Sequence, residues 1–185
     1  MIDTNFNVEE VLQERLASSL GLDRYKFIMD KVNVVNVSTD EDFQRTFNGF
    51  YLVRRNSEWR KVYYDYFESV KGKEISFTEI ITYIYENTNF VEPSFSSKML
   101  ATLQPDKPIW DRYVMENLGF KLKGDTQEEK LKNAIEIYEK IEKWYDEFMV
   151  TPKAKECIVA FDKALPNYTN ISNIKKVDAI LWSIR

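Results

Sequence analysis

The sequence predicts an all-α fold, a compact globular domain of about nine or ten helices. Three observations support this. Glycine and proline are rare, with five of each in 185 residues, and most fall between segments whose apolar residues recur every three or four positions. Hydrophobic residues make up 44% of the chain, enough for a core of its own. The net charge is only -4, which disfavours disorder.

Helix start and stop signals divide the first half of the chain. Gly21 suits a left-handed stop after the first helix, while Asp40 and Ser57 are predicted N-caps. Residues 76–79 have the S-x-x-E form of a capping box. The β-branched segment 32–38 is expected to be a short strand or an extended connector. The helices predicted in this half cover 8–20, 23–31, 41–51, 58–70 and 77–86.

The second half shows the same kind of signals. Pro93, Pro108 and Pro152 each suit the first turn of a helix, and Gly119 suits a helix stop. Residues 126–129 form a second capping box, which opens the longest helix. The helices predicted in this half cover 93–104, 108–118, 127–150, 152–165 and 173–184.

No repeat, linker or low-complexity stretch divides the chain. We expect residues 1–185 to form a single helical domain. A variant of this interpretation has two closely packed helical lobes with a cleft near residues 92–118. Two aspartates beside apolar residues, Asp162 and Asp178, are expected to pair with Lys or Arg.

The longest predicted helix carries a narrow apolar seam. Such a seam most often packs inside an antiparallel helix pair. The alternative is a homodimer in which the 127–149 helix packs against its copy. The seam residues are Leu131, Ala134, Tyr138, Ile141, Tyr145 and Phe148.

The residue types that are absent narrow the possible chemistry. The chain has no histidine, which excludes Ser–His and Cys–His nucleophile pairs and every zinc site that uses histidine. A single cysteine, Cys157, excludes an internal disulfide, an iron–sulfur cluster and a Cys-based zinc site. The isolated glycines form no phosphate-binding GxGxxG or GxxxxGK loop. No cofactor is assigned, and a carboxylate-held cation such as Mg²⁺ is the one metal left open.

We expect a cytoplasmic protein with no membrane partner. No apolar run reaches the ~18 residues of a membrane-spanning helix. The first residues, 1–4, lack the basic start and apolar block of a secretory signal. A single cysteine fits a reducing compartment.

Lys98 and Asp111 are the candidate catalytic residues. A lysine desolvated on a helix with an apolar face has a lowered pKa and can act as a nucleophile or proton acceptor. Asp111 follows Pro108 in a predicted first turn, where the helix dipole favours the ionised carboxylate. If the two helices form a hairpin, the two side chains can face each other. The alternative is structural, with Lys98 reaching solvent from a half-buried helix and Asp111 pairing with it or capping the helix.

The residues around this pair follow a pattern. A lysine lies on one helix in Ser97-Lys98-Met99-Leu100-Ala101, a turn follows, the stretch 108–114 reads apolar-x-Asp-x-x-Val, and Leu118-Gly119 forms a stop. This pattern resembles the helix-hairpin-helix DNA glycosylase superfamily, in which a damaged base is flipped into a pocket between two helical subdomains. There the aspartate activates a nucleophile at the sugar carbon, and in bifunctional members the lysine forms a Schiff base. The resemblance implies a helix-hairpin-helix DNA-glycosylase-like fold and these roles for Asp111 and Lys98.

Basic residues interleaved with aromatic residues form a candidate nucleic-acid-binding site. Such residues can grip phosphates and stack on bases. The alternative is a solvated helix face whose aromatic residues belong to the core, and the pI near 5.1 favours it because nucleic-acid-binding proteins are usually basic. The basic residues are Arg54, Arg55, Arg60 and Lys61, and the aromatic residues are Trp59, Tyr63 and Tyr64.

Two hypotheses about function stay open. The first is an active or degenerate glycosylase- or lyase-like enzyme of DNA base excision, or a DNA-binding protein on the same scaffold. The second is a non-catalytic helical protein-interaction module, dimeric if the seam packs between two copies. The enzymatic hypothesis requires Lys98 and Asp111 to share a concave pocket in which the lysine pKa is shifted.

Overall fold

The computed structural model describes residues 6–16 and 21–183, so the predicted helical stretch 17–20 and the predicted helix end at 184 lie outside the described residues. Within this part of the chain there are ten α-helices and no β-strand, which confirms the predicted all-α fold. A short 3₁₀ turn, Pro166–Tyr168, follows the ninth helix. The helices are α1 Val8–Leu16, α2 Leu22–Lys31, α3 Glu41–Tyr51, α4 Ser57–Val70, α5 Phe77–Thr88, α6 Pro93–Leu103, α7 Arg112–Leu118, α8 Gln127–Met149, α9 Pro152–Ala164 and α10 Asn173–Ser183.

Three of the four side-chain caps that the sequence predicts start a helix at the predicted residue. Both capping boxes form, with Ser76 opening α5 and Thr126 opening α8. Asp40 accepts a hydrogen bond from the Phe43 amide at the start of α3. At α4 the predicted cap is wrong by one residue, because Asn56 accepts from an amide of the first turn and the helix already includes Ser57.

The segment 32–38 forms consecutive turns, so the prediction of a strand or an extended connector is wrong. The amides of Val34 and Val35 both donate to the Lys31 carbonyl, at 2.8 and 3.1 Å. Val32 and Val37 are buried in the core. Their β-branched side chains therefore serve packing, while the amides of the turns between them bond locally instead of to a neighbouring strand.

The helix predicted to open at Pro108 begins four residues later, at Arg112. Asp111 is its N-cap and has an extended backbone, with φ −114° and ψ 154°. The preceding Ile109 and Trp110 are buried, which holds this stretch extended against the core. The helix begins after Asp111 and not at Pro108, because the Asp111 side chain accepts a hydrogen bond from an amide of the first turn, which a proline side chain cannot do.

A cluster of buried aromatic residues joins α3 to α4. Phe47 is its centre, with ring centroids 5.7–6.0 Å from three rings of α4 and near edge-to-face angles to two of them. This packing fixes the end of α3, where Tyr51 and Leu52 lie. The cluster comprises Phe43, Phe47, Tyr63, Tyr64 and Phe67.

The seam of α8 packs inside the chain, as the first of the two interpretations predicts. Of its six residues, only Leu131 is not fully buried. The Tyr138 ring stacks on Phe77 of α5, and its hydroxyl donates to the Pro108 carbonyl at 2.8 Å. A homodimer stays a prediction, and it would have to use another face of α8.

The last helix, α10, lies in the core and packs against α1, α7 and α9. Seven of its eleven residues are buried. Two charged residues, Lys176 and Asp178, are among them, and a third, Lys175, is half-buried. This helix therefore brings charge into the interior, next to the end of α3 and the start of α7.

Candidate functional site

A cavity of about 150 Å³ opens between the ends of α3 and α7 and the sides of α6 and α10. Four charged side chains line it: Lys98, Asp111, Lys175 and Asp178. Phe50, Tyr51 and Trp182 supply aromatic walls, and the rest of the lining is aliphatic, namely Leu22, Leu52, Ile109 and Ala179. The structure thus places the two sequence-predicted catalytic residues in one cavity.

Two hydrogen bonds to the backbone hold the walls of this cavity together. The Ser97 hydroxyl of α6 accepts from the Trp110 amide at 2.9 Å, in a buried position. The Tyr138 hydroxyl donates to the Pro108 carbonyl at 2.8 Å. The extended stretch before α7 is therefore fixed against both α6 and α8, which sets the place of Asp111 relative to Lys98.

Lys98 is a desolvated amine. Its Nζ donates to the Tyr51 carbonyl at 3.2 Å and lies 5.7 and 5.3 Å from the ring centroids of Tyr51 and Phe95. Burial lowers the Lys98 pKa to about 8, the nearby Asp111 opposes this shift, and Lys175 adds to it. At pH 7 about a tenth of the amine is then neutral, against far less for an ordinary lysine.

Asp111 faces the same cavity from the start of α7. Its Oδ1 accepts from the Tyr113 amide at 2.9 Å, so the structural expectation that it caps a helix is correct. Burial raises the Asp111 pKa, while the Tyr113 hydrogen bond and the charge of Lys98 act against this. Among the described residues no direct ion pair joins Lys98 to Asp111, and their charges interact across the cavity.

The sequence did not single out the other two charged residues of the cavity as functional. Lys175 and Asp178 lie one turn apart on α10 and form an ion pair of 2.7 Å. Asp162 pairs in the same way with Lys176, so both aspartates have the lysine partners expected of them. A Lys-x-x-Asp spacing on a helix with an apolar second half was the signal available, but it does not reveal which cavity the pair faces.

The predicted nucleic-acid-binding residues lie at the end of α3 and on α4. Arg54 is exposed, whereas Arg55 forms an ion pair with Glu92 and lies over the Phe90 ring. Arg60 is half-buried, and Lys61 is exposed and paired with Asp65. Their phosphate-binding role stays a prediction. The interleaved aromatic residues, Trp59, Tyr63 and Tyr64, are buried and belong to the core.

Within residues 6–16 and 21–183 no three His, Cys, Asp or Glu side chains come together as ligands for a metal ion. None of the helices in these ranges combines the length and the apolar character that crossing a bilayer requires.

Comparisons with models of protein families, with curated proteins and with solved structures found no match to this chain.

Proposed function

We propose that the cavity between α3, α6, α7 and α10 is the active site of a DNA base-excision enzyme of the glycosylase/lyase type, with Lys98 as nucleophile. One observation carries the proposal: a buried amine with a pKa near 8 shares an open cavity with a carboxyl group. A lysine of this kind is the usual nucleophile for carbonyl carbons, since only the neutral amine attacks. The proposal also draws on the superfamily resemblance of the segment that holds Lys98 and Asp111.

The chemistry needs only these two side chains and an aldehyde. The neutral Lys98 amine attacks the aldehyde carbon of a ring-opened abasic deoxyribose, and a C–N bond forms. Both amine protons pass in turn through the Asp111 carboxylate to the former carbonyl oxygen, which leaves as water and yields an imine. The Asp111 carboxylate then accepts a proton from the neighbouring carbon, a C=C bond forms, and the C–O bond to the 3′-phosphate breaks as the phosphate leaves with the electron pair.

The mouth of the cavity offers features that suit a nucleic acid. Leu52 lines the cavity and its side chain is 62% exposed, so it is accessible to a ligand at the mouth. Apolar side chains inserted between base steps unstack DNA and hold a flipped nucleotide. Arg54 and Arg55 come two and three residues after Leu52. Because Arg55 is paired with Glu92, the exposed Arg54 is the better placed of the two for a phosphate contact.

Borohydride trapping with DNA that contains an abasic site tests the proposal. We expect a covalent adduct with the native protein and none with Lys98→Ala, because the reduced imine requires that amine. Lys153→Ala is a matched control, since the Lys153 Nζ also donates to a backbone carbonyl and lies over an aromatic ring, that of Phe6. Thermal unfolding of each variant shows that it is folded. No adduct with native protein, or an adduct that survives Lys98→Ala, contradicts the lyase.

A second hypothesis, the non-catalytic helical module, is favoured by one observation. Two of the four predicted DNA-binding cations, Arg55 and Lys61, already have carboxylate partners, as on an ordinary solvated surface. This hypothesis predicts that the protein binds its partner with no adduct under any trapping condition. Sedimentation at several protein concentrations would show whether it is dimeric.

A further inference from the structure

The ion pair on α10 is unusual for its position. The Lys175 Nζ and the Asp178 Oδ2 are 2.7 Å apart, and the two side chains are 13% and 8% exposed. Both line the cavity. A buried ion pair is weak evidence for stability, since desolvation can exceed the Coulomb attraction, and replacement by apolar residues is often neutral. Stability alone therefore does not explain its presence.

Both partners keep unused hydrogen-bonding capacity. An ammonium group has three N–H donors, and among the described residues Lys175 uses one, toward Asp178. Its remaining surroundings include the rings of Tyr25 and Phe50, with centroids 5.3 and 5.8 Å from Nζ. An ionised carboxylate accepts at about four lone-pair positions, and Asp178 receives Lys175 and a long contact of 3.4 Å from the Tyr145 hydroxyl. Lys175 therefore keeps two N–H donors and Asp178 keeps about two lone-pair positions, so donor and acceptor capacity remain side by side at the cavity wall.

Lys175 also holds its proton. Burial disfavours its charge, but the Coulomb attraction of Asp178 and the hydrogen bond that Lys175 donates to this carboxylate more than offset the effect of burial, so the Lys175 pKa lies above its ordinary value. Lys98, in contrast, has its pKa lowered to about 8. The two lysines of the cavity therefore differ in protonation. Lys175 stays protonated and remains a hydrogen-bond donor, whereas Lys98 can become a neutral amine.

We propose that Lys175 and Asp178 form a recognition site for a ring that carries a cis-amide (lactam) edge, with Lys175 donating to its carbonyl oxygen and Asp178 accepting from its N–H. The inference rests on the proposed function for the identity of the ring as a nucleobase. It goes beyond that function by separating recognition, on α10, from the reacting groups on α6 and α7.

The dimensions of the cavity agree with such a ligand. Bond lengths place the oxygen and nitrogen of a lactam edge about 2.2 Å apart, close to the 2.7 Å between the two protein atoms, so both hydrogen bonds can form together. A cavity near 150 Å³ holds about one six-membered ring. Phe50, Tyr51 and Trp182 offer aromatic contacts to its faces.

Binding of single-ring probes tests this without DNA. Calorimetry or ligand-observed NMR would compare 1-methyluracil, which keeps the lactam N–H, with 1,3-dimethyluracil, which lacks it. We expect 1-methyluracil to bind at least about tenfold more tightly, because the dimethyl compound leaves the Asp178 acceptor unpaired. Equal affinities, or no binding of either probe at about 10 mM, would overturn the inference.

Two variants make the test specific to this pair. Asp178→Asn replaces a pure acceptor with a group that can also donate, so we expect discrimination against 1,3-dimethyluracil to narrow several-fold. Lys176→Met is the matched control. Lys176 is the neighbouring buried lysine of α10, paired with Asp162 at 2.7 Å and absent from the cavity lining. Equal effects of both variants on the ratio of affinities would show a merely structural role and overturn the inference.

The ring test and the trapping test can fail separately. An adduct with abasic DNA but no preference among the rings removes the recognition site and leaves the lyase. A clear ring preference without any adduct keeps the lactam site and removes the covalent role of Lys98.

Discussion

At the scale of single residues, the pKa values of the two cavity lysines depend on burial and on the group that each amine contacts. Lys98 and Lys175 line the same cavity, yet burial lowers the pKa of the first, while the carboxylate of Asp178 holds the pKa of the second above its ordinary value. The difference follows from hydrogen bonding: Lys98 donates to a neutral carbonyl, and Lys175 donates to a charged carboxylate. One amine is thereby suited to attack and the other to hold a ligand.

The pH dependence of trapping tests the state of Lys98. The neutral amine is the reacting form, so the adduct rate should rise with pH and level off above about 8. The rate for an ordinary lysine would instead level off near 10.5. In Asp111→Asn the carboxylate that raises the Lys98 pKa is gone, so the midpoint should move to lower pH even if the maximal rate falls. Trapping rates of the native protein and of Asp111→Asn, measured from about pH 6 to 10, give the two midpoints. A native midpoint near 10, or one that Asp111→Asn does not lower, contradicts the assignment.

At the scale of elements, the end of α3 combines strain with exposure. Leu52 caps this helix with φ 56° and ψ 42°, a left-handed conformation that aliphatic residues rarely adopt. Its amide donates to the Asn48 carbonyl, which ends the helix in the usual way. Glycine would adopt the same backbone conformation with less strain. The leucine side chain is therefore not required by the backbone, and we expect it to have a role at the cavity.

Leu52→Gly separates strain from function. We expect the free energy of unfolding to rise by about 0.5–1 kcal/mol, because relief of the left-handed strain exceeds the extra flexibility of glycine in the unfolded chain. Trapping on duplex DNA should fall, more than on single-stranded DNA, since only a duplex has to be opened. Denaturant unfolding and trapping on both substrates measure this.

Asn89→Gly is the control, because Asn89 caps α5 with φ 60° and lies outside the cavity lining. Asparagine tolerates this conformation, so the gain in stability should be smaller and trapping should not change. Equal trapping by Leu52→Gly and native protein on duplex DNA would contradict the role given to Leu52.

At the scale of the whole molecule, charge sets how a nucleic acid could approach. The chain carries a net charge of -4, so long-range attraction to DNA is not expected from the average charge. Any electrostatic contribution must come from local groups, namely the cations at the end of α3 and on α4. A local contribution can be recognised by its salt dependence.

Lys61 and Lys143 form a matched pair for this purpose. Both are exposed, at 75% and 77%, and both pair with a carboxylate one turn later on their own helix. If α4 contacts phosphates, Lys61→Ala should weaken DNA binding and lower the slope of log K against log salt by about one, whereas Lys143→Ala on α8 should change neither. Fluorescence anisotropy between about 50 and 200 mM salt measures the slopes. Identical slopes for the two variants would remove α4 from the proposed interface.

The features that sequence predicts well are those decided within one or two helical turns. The capping boxes at Ser76 and Thr126, the seam of α8 and the positions of most helices follow from local hydrogen bonds and from apolar spacing. The errors are local as well. Pro108 does not open a helix, because the helix begins after the Asp111 cap three residues later. Val32 and Val37 are buried in the core and belong to no sheet.

Sequence by itself determined that the protein is helical and that any catalysis must use Lys, Asp, Glu, Tyr, Ser or Cys157, and it singled out Lys98 and Asp111 as candidates. Only the tertiary structure decided that these two share a cavity with Lys175 and Asp178 of α10, more than 60 positions further along the chain than Asp111. The reason is physical. Helix caps and apolar periodicity depend on contacts between residues close together in the chain. Desolvation and cavity shape depend on how helices far apart in the sequence pack together, and no local sequence pattern encodes this packing.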